Sequence, residues 1–293
     1  MATGSTLPRR LLGRELHGLR ENAGITMDVA KAAISVGKQT IWRMETGQPV
    51  RLRFIDIERL CQVYGATPEK TQVLLGLTEE AQGKGWWHAY GDAIPKHFDL
   101  YVGLEDAAER FSSYHTNLLP GLLQIPEYRR EVIRAEFPNM ETGEVERRIE
   151  LASRRQARLS NDTNPIAVQV VLDELPLHRP IGGPSVMAAQ LHHLAEIGQQ
   201  LANVSVRIVP AGVGTHRGLL VGPFVLLDFP RHPTAKLTEP PVVYIQGFTG
   251  ALYLEKADEV QQYRNAYADV QRVAMDEDDS RRLILEIAKE LTG

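Results

Sequence analysis

Across residues 9–76 apolar side chains recur at helical spacing, and glycine, proline or a capping residue interrupts the recurrence at short intervals. Leu11, Leu12, Leu16 and Leu19 form one stripe, which stops at Gly24. Thr26 and Asp28 open a second helix: a hydroxyl for the free backbone N–H groups and a carboxylate at the positive end of the dipole. Ile34-Ser35-Val36-Gly37 breaks that helix early. Lys38 to Thr46 reads as a third helix, closed by Gly47 and Pro49, and Phe54, Ile57, Leu60, Cys61 and Tyr64 mark a fourth that ends at Gly65. Thr67-Pro68-Glu69 places a cap, a proline and an acid at the start of a fifth, which carries Val73, Leu74 and Leu75. The pattern predicts an all-α module of five helices over residues 8–77.

Thr78 to Gly85 is polar and reads as a linker, and beyond it the periodicity changes. An aromatic stretch, Trp86, Trp87, Tyr90, Phe98 and Tyr101, precedes helical segments at about 125–136 and 142–160. Short β-branched runs follow at Ala167–Leu172, Val204–Val209, Phe224–Phe229, Val242–Ile245 and Leu252–Leu254. A helix, Pro184–Leu201, separates the first two runs, and two more close the chain at about 257–274 and 279–291. Residues 86–293 are therefore expected to form an α/β (α+β) domain with a roughly five-stranded sheet.

Composition changes this picture in three respects. The 293 residues suffice for two domains with cores of their own. Cys61 is the single cysteine, so an internal disulfide framework and a multi-cysteine zinc site are ruled out. Residues 1–77 carry a charge balance of +4 and the remainder −8, a basic head on an acidic body, as suits a module that meets phosphate joined to one that does not. The opening MATGSTLPRR has no apolar run of signal-peptide length and no stretch has transmembrane length, so a cytoplasmic protein with no membrane partner is expected.

Two short helices joined by a tight turn can hold the second in the major groove of DNA, provided apolar anchors fix their angle. Val29, Ala33 and Ile34 are expected to supply the first set of anchors, and Val36, Ile41 and Met44 the second. Lys38, Gln39, Thr40, Trp42, Arg43 and Thr46 are left for the outer face. Arginine and lysine donate to guanine O6 and N7, and glutamine pairs with adenine N6 and N7. Trp42 can lie against sugar or a thymine methyl, and Arg20, Gln48, Arg51 and Arg53 flank the helix where phosphate contacts set register. The same residue types also serve plainer roles: Arg43 in an ion pair with Glu45 or Glu21, Trp42 packed between helices, Arg51 and Arg53 as solvated charges.

Gly24-Ile25-Thr26 through Ile41-Trp42-Arg43-Met44-Glu45-Thr46-Gly47 resembles the Xre/Cro family of helix-turn-helix regulators. Two positions depart from the family pattern: Lys31 falls where a small residue usually permits close helix contact, and Ser35 where the turn usually has glycine. Pro120-Gly121-Leu122-Leu123-Gln124 with Tyr128, Arg154-Arg155-Gln156, Leu227-Asp228-Phe229 and Tyr253-Leu254-Glu255 resemble a C-terminal domain of unassigned function common in actinobacterial regulators. The two resemblances imply a regulator that binds double-stranded DNA, sometimes paired with a small protein encoded next door in a toxin–antitoxin-like arrangement. A homodimer is expected, since one such module reads few bases.

The second domain carries no H-E-x-x-H, G-x-S-x-G or P-loop pattern, so no enzyme, metal or organic cofactor is expected. Asp173, Glu174, His178 and Arg179 lie just past an expected strand and form a candidate ligand or partner site, or a salt-bridged corner. The expected function is sequence-specific transcription regulation, with the second domain serving dimerisation and sensing of a ligand or small partner protein. The alternatives are an enzyme housed in residues 86–293 and a protein-binding adaptor or antitoxin.

Overall fold

The computed structural model describes residues 6–83, 85–91, 98–161, 163–232, 234 and 237–292. The chain forms two compact units, one of residues 1–89 with 231–239, the other of residues 90–230 with 240–293.

The first unit is helical. It comprises α1 (Thr6–Asn22), α2 (Met27–Ala33), α3 (Lys38–Glu45), α4 (Phe54–Val63) and α5 (Pro68–Gln82), with a 3-10 turn beginning at Trp86. The stripes read from the sequence meet in one core of Leu12, Leu16, Ile41, Ile57, Leu60 and Leu74, each almost fully buried. The caps act as expected: Val29 N–H donates to the Thr26 hydroxyl and Lys70 N–H to that of Thr67. The expected linker is a correction, because α5 continues through Gln82. Thr78 is buried there, its hydroxyl donating to the Leu74 carbonyl at 2.7 Å, which hides its polarity inside the helix.

This unit is also discontinuous. Leu237 packs against its core, and the Glu239 carboxylate accepts hydrogen bonds from Arg10 Nε and Arg14 Nη2, each at 2.6 Å.

The second unit is built on a six-stranded mixed sheet, β1 (Arg110–His115), β2 (Ala167–Asp173), β3 (Val204–Val209), β4 (Phe224–Asp228), β5 (Val242–Gln246) and β6 (Ala251–Leu254), in the order β3-β2-β1-β4-β5-β6. The β1–β2 and β2–β3 pairs are parallel and the rest antiparallel. Long crossovers make the parallel half: α7 (Pro126–Glu136) and α8 (Thr142–Gln156) between β1 and β2, and α9 (Pro184–Gln200) between β2 and β3. Preceding β1 is α6 (Asp99–Ala107), a short α10 (Gly218–Val221) precedes β4, and α11 (Ala257–Val273) and α12 (Glu277–Thr292) close the chain.

One sheet face, with Tyr114, Val171, Phe224, Leu226 and Val243, packs on Val260, Tyr267 and Val270 of α11. The expected five strands become six because β1, Arg-Phe-Ser-Ser-Tyr-His, lacks an apolar run, although Phe111, Ser112, Ser113 and Tyr114 are all buried. Strand β1 is also where the order turns, with β2 on one side and β4 on the other.

Candidate nucleic-acid interface

Helix α2, the turn 34–37 and α3 form the expected pair of short helices. Ile41 and Met44 point inward from α3, buried with Ala30 and Ile34 of the preceding segment. Ala30 is fully buried, so it provides the close helix contact, and the departure read at Lys31 is a one-residue shift of register. Lys31 instead reaches Asp28, 2.9 Å away. Its hydrogen bond and charge, with help from Lys38, hold the Asp28 carboxyl below its usual range. Ser35 adopts φ 55°, the left-handed conformation that glycine supplies most readily. Val29, expected as an anchor, is a correction: it stands 48% exposed, because α2 turns that side away from α3.

What fixes α3 most firmly is α1. A Cβ on Gly13 would fall 2.5 Å from the Met44 carbonyl oxygen, and one on Gly47 2.7 Å from the Arg10 Cα, so two glycines permit the approach of backbone to backbone. A charged cluster closes the same contact. Arg20 donates to Glu45 through Nε at 2.6 Å and Nη2 at 2.9 Å, and to the Ile25 carbonyl through Nη1 at 3.0 Å. The His17 Nδ1 lies 3.0 Å from Oε2 of that carboxylate, the oxygen that also accepts from Arg20 Nη2. The hydrogen bonds that Arg20 donates to Glu45, opposed by burial, raise it above the usual arginine range, so it is held charged.

Arg20 therefore does not set register on phosphate as expected. It is 5% exposed and ties α1 to the C-terminal end of α3. Neither Gly13 nor this clamp was identified from the sequence. The available signal was Glu45, an acid on the inward side of an otherwise outward-reading helix.

The other expected contacts divide clearly. Lys38, Gln39, Trp42, Arg43 and Thr46 are exposed and Thr40 is half-buried. Gln39, Trp42, Arg43 and Thr46 fall at i, i+3, i+4 and i+7, one face of α3. Trp42 is 46% exposed instead of packed between helices. Arg43 makes no ion pair among the described residues, while Lys38 lies 3.6 Å from Asp28. Gln48 is half-buried and Arg51 exposed. Arg53 is exposed but held by Asp56, which accepts from its Nε at 2.6 Å and Nη2 at 2.8 Å; those bonds raise its pKa.

In the second unit, the candidate group lies at and just past the end of β2. Asp173 accepts from the Leu175 N–H at 3.0 Å, closing a turn, and Glu174 from the Ala211 N–H at 2.7 Å, joining the end of β2 to the loop after β3. His178 Nε2 lies 3.0 Å from the other Glu174 oxygen on the surface, and Arg179 forms no ion pair with the group among the described residues. One oxygen of each carboxylate is thus engaged by a backbone N–H group. No cluster of potential metal ligands occurs among the described residues, and no helix there is long and apolar enough to cross a membrane.

Comparison with known proteins also divides the chain in two, although residues 231–239 of the first unit fall within the second match. Residues 11–74 match a family model described as a helix-turn-helix domain, and residues 98–286 match one described as a domain of unknown function, DUF5753. No curated protein and no solved structure matches the chain.

Proposed function

Because the chain belongs to the DUF5753 family and carries a helix-turn-helix domain ahead of the shared region, we propose that it is a sequence-specific transcription regulator of the Xre/Cro type. It acts in the cytoplasm as a homodimer on double-stranded DNA. The observation that carries this reading is the outer face of α3. Gln39, Trp42, Arg43 and Thr46 present base-reading chemistry to solvent, while Ile41, Met44 and Glu45 fix the helix from behind. The exposed Arg51 flanks that face where a phosphate contact would set register.

The second domain serves self-association and sensing, and performs no chemistry of its own. Self-association is supported by the sheet edge at β6, where Leu252 is 59% exposed and Phe248, in the preceding turn, is fully exposed. A small protein encoded beside the gene is a further partner in this reading.

The test is fluorescence anisotropy on the DNA upstream of its own gene, with Gln39→Ala and Arg43→Ala across a salt series. Each substitution is expected to weaken specific binding by about 1–3 kcal/mol. Arg51→Ala should weaken all sequences alike and lower the salt slope by about 1. Specific binding that neither Gln39→Ala nor Arg43→Ala weakens would overturn the assignment of α3 as the reading helix.

A further inference from the structure

Between the sheet and α6–α8 the second unit encloses a cavity of about 300 Å³. Its floor is the sheet face bearing Phe111, His115, Val225 and Tyr244, which the strand register brings side by side. The loop after β1 lines it together with His115, so the cavity reaches the carboxyl end of the strand where the sheet order turns. That is the usual place for a ligand in open α/β sheets, and the volume is at the lower end of small-molecule sites.

The polar groups of the cavity are unevenly satisfied. Arg155 is complete: Glu105 accepts from its Nε at 2.6 Å and its Nη2 at 2.7 Å, and the rings of Phe98 and Tyr101 lie 5.2 and 5.6 Å from the guanidinium carbon. Burial works against its charge, but Glu105 outweighs burial and raises it. Arg129 is not complete. It makes no ion pair among the described residues, its Nε is buried without a partner, and its Nη1 makes one long bond to Gln124 at 3.4 Å. Burial, followed by the positive charge of Arg155 and against the pull of the Glu136 carboxylate that also lines the cavity, brings it down to about 10. Arg148 pairs with Glu144 at 3.1 Å but leaves its Nε unpartnered, as are the His115 Nε2 and the Tyr244 hydroxyl.

Leaving a buried guanidinium N–H without a partner is costly. Several such groups facing one cavity need an explanation beyond packing. Beside them stands a wall of flat rings, with Tyr101 and Tyr244 centroids 4.2 Å apart and Phe98 stacked on Tyr101 at 5.0 Å.

We infer that this cavity binds a small organic anion: a planar ring that lies against Tyr101 and Tyr244, bearing a carboxylate or phosphate held by Arg129. The inference rests on the reading of the second domain as a sensor and names the chemical class of its effector. Arg129 is the discriminating residue, because Arg155 is neutralised by Glu105 and Arg148 is ion-paired with Glu144, whereas Glu136, the acid that lines the cavity from Arg129's own helix, forms no ion pair with it among the described residues.

The experiment is calorimetric titration of the full chain with benzoate, phenyl phosphate and the neutral benzyl alcohol, on wild type and on Arg129→Gln. Either anion is expected to bind wild type at least about tenfold more tightly than benzyl alcohol, and Arg129→Gln to erase that preference. Which anion binds decides between carboxylate and phosphate. Thermal unfolding supplies the control: Arg129→Gln removes a half-buried charge that has no ion pair among the described residues, so without ligand it should be at least as stable as wild type, whereas a structural arginine would cost stability.

Equal binding of the neutral probe, a stability loss in Arg129→Gln, or no saturable binding by either anion up to about 10 mM, beyond the range where a fragment still registers, overturns the inference. Anion binding that leaves operator affinity unchanged would uphold the cavity's assignment and remove the sensor reading instead.

Discussion

Replacing Arg20 with alanine separates a clamp from a DNA contact. Both partners of the clamp are buried, Arg20 at 5% and Glu45 at 7% exposure. The substitution removes two of the three groups donating to or flanking the carboxylate and also leaves the Ile25 carbonyl without its side-chain donor. Breaking a buried pair by removing one partner typically costs about 3–5 kcal/mol, because the remaining charge is still desolvated. The half-exposed His17 gives partial relief, so the lower half of that range is expected for Arg20→Ala. Arg20→Met with Glu45→Leu removes both charges while keeping volume, and should recover most of the loss.

Native-state hydrogen exchange of the α1 and α3 amides in the full chain reads the local stability. Anisotropy at several salt concentrations reads the DNA side. A phosphate contact would lower the salt slope by about 1; the clamp predicts an unchanged slope with a lower apparent affinity. A loss under about 1 kcal/mol, or a reduced slope with normal exchange, would refute the reasoning.

Three further outcomes are expected. Gly13→Ala places a Cβ 2.5 Å from the Met44 carbonyl, and since backbone must move, thermal unfolding should show a loss of about 2–3 kcal/mol together with weaker operator binding. Ser35→Gly relieves a left-handed serine and should stabilise the chain by about 0.5–1 kcal/mol in the same assay, the larger glycine entropy offsetting part of the gain. Burial brings His115 down to about 4. The unfolded chain then binds a proton that the folded one refuses, so stability is full above pH ~6.5 and falls as pH drops toward 4, by on the order of 2–3 kcal/mol in all. The difference in Tm between wild type and His115→Asn should shrink over that window; a constant difference would mean that His115 titrates normally.

The helical module was legible because each of its helices announces itself locally. Thr26 and Thr67 cap, Gly24, Gly47 and Gly65 stop, and the leucines keep a helical period, so little depends on distant residues. The missed features are those that rest on contact across the chain. Arg20 has the composition of a phosphate ligand, and only the fold reveals that Glu45 holds it. Strand β1 carries Ser112 and Ser113 in a fully buried segment, where alternation gives no signal, and its existence follows from pairing with β2 and β4. Arg129 and Arg155 are likewise two helix-surface arginines in the sequence, and the cavity alone separates the neutralised one from the unpaired one. In the Asp173–Arg179 group the sequence shows the neighbours but not the long-range bond by which Glu174 accepts from the Ala211 N–H.

The acid at Glu239 has a consequence in the order of synthesis. Arg10 and Arg14 leave the ribosome early, while the carboxylate that completes their unit is encoded about 150 residues after residue 89, roughly 10–30 s later at ordinary translation rates. Until then the nascent helical module carries two neighbouring cations without their shared anion, and its core lacks Leu237. A gene fragment ending at residue 89 would freeze the protein in that unfinished stage, so the two units cannot be cleanly separated by a single cut.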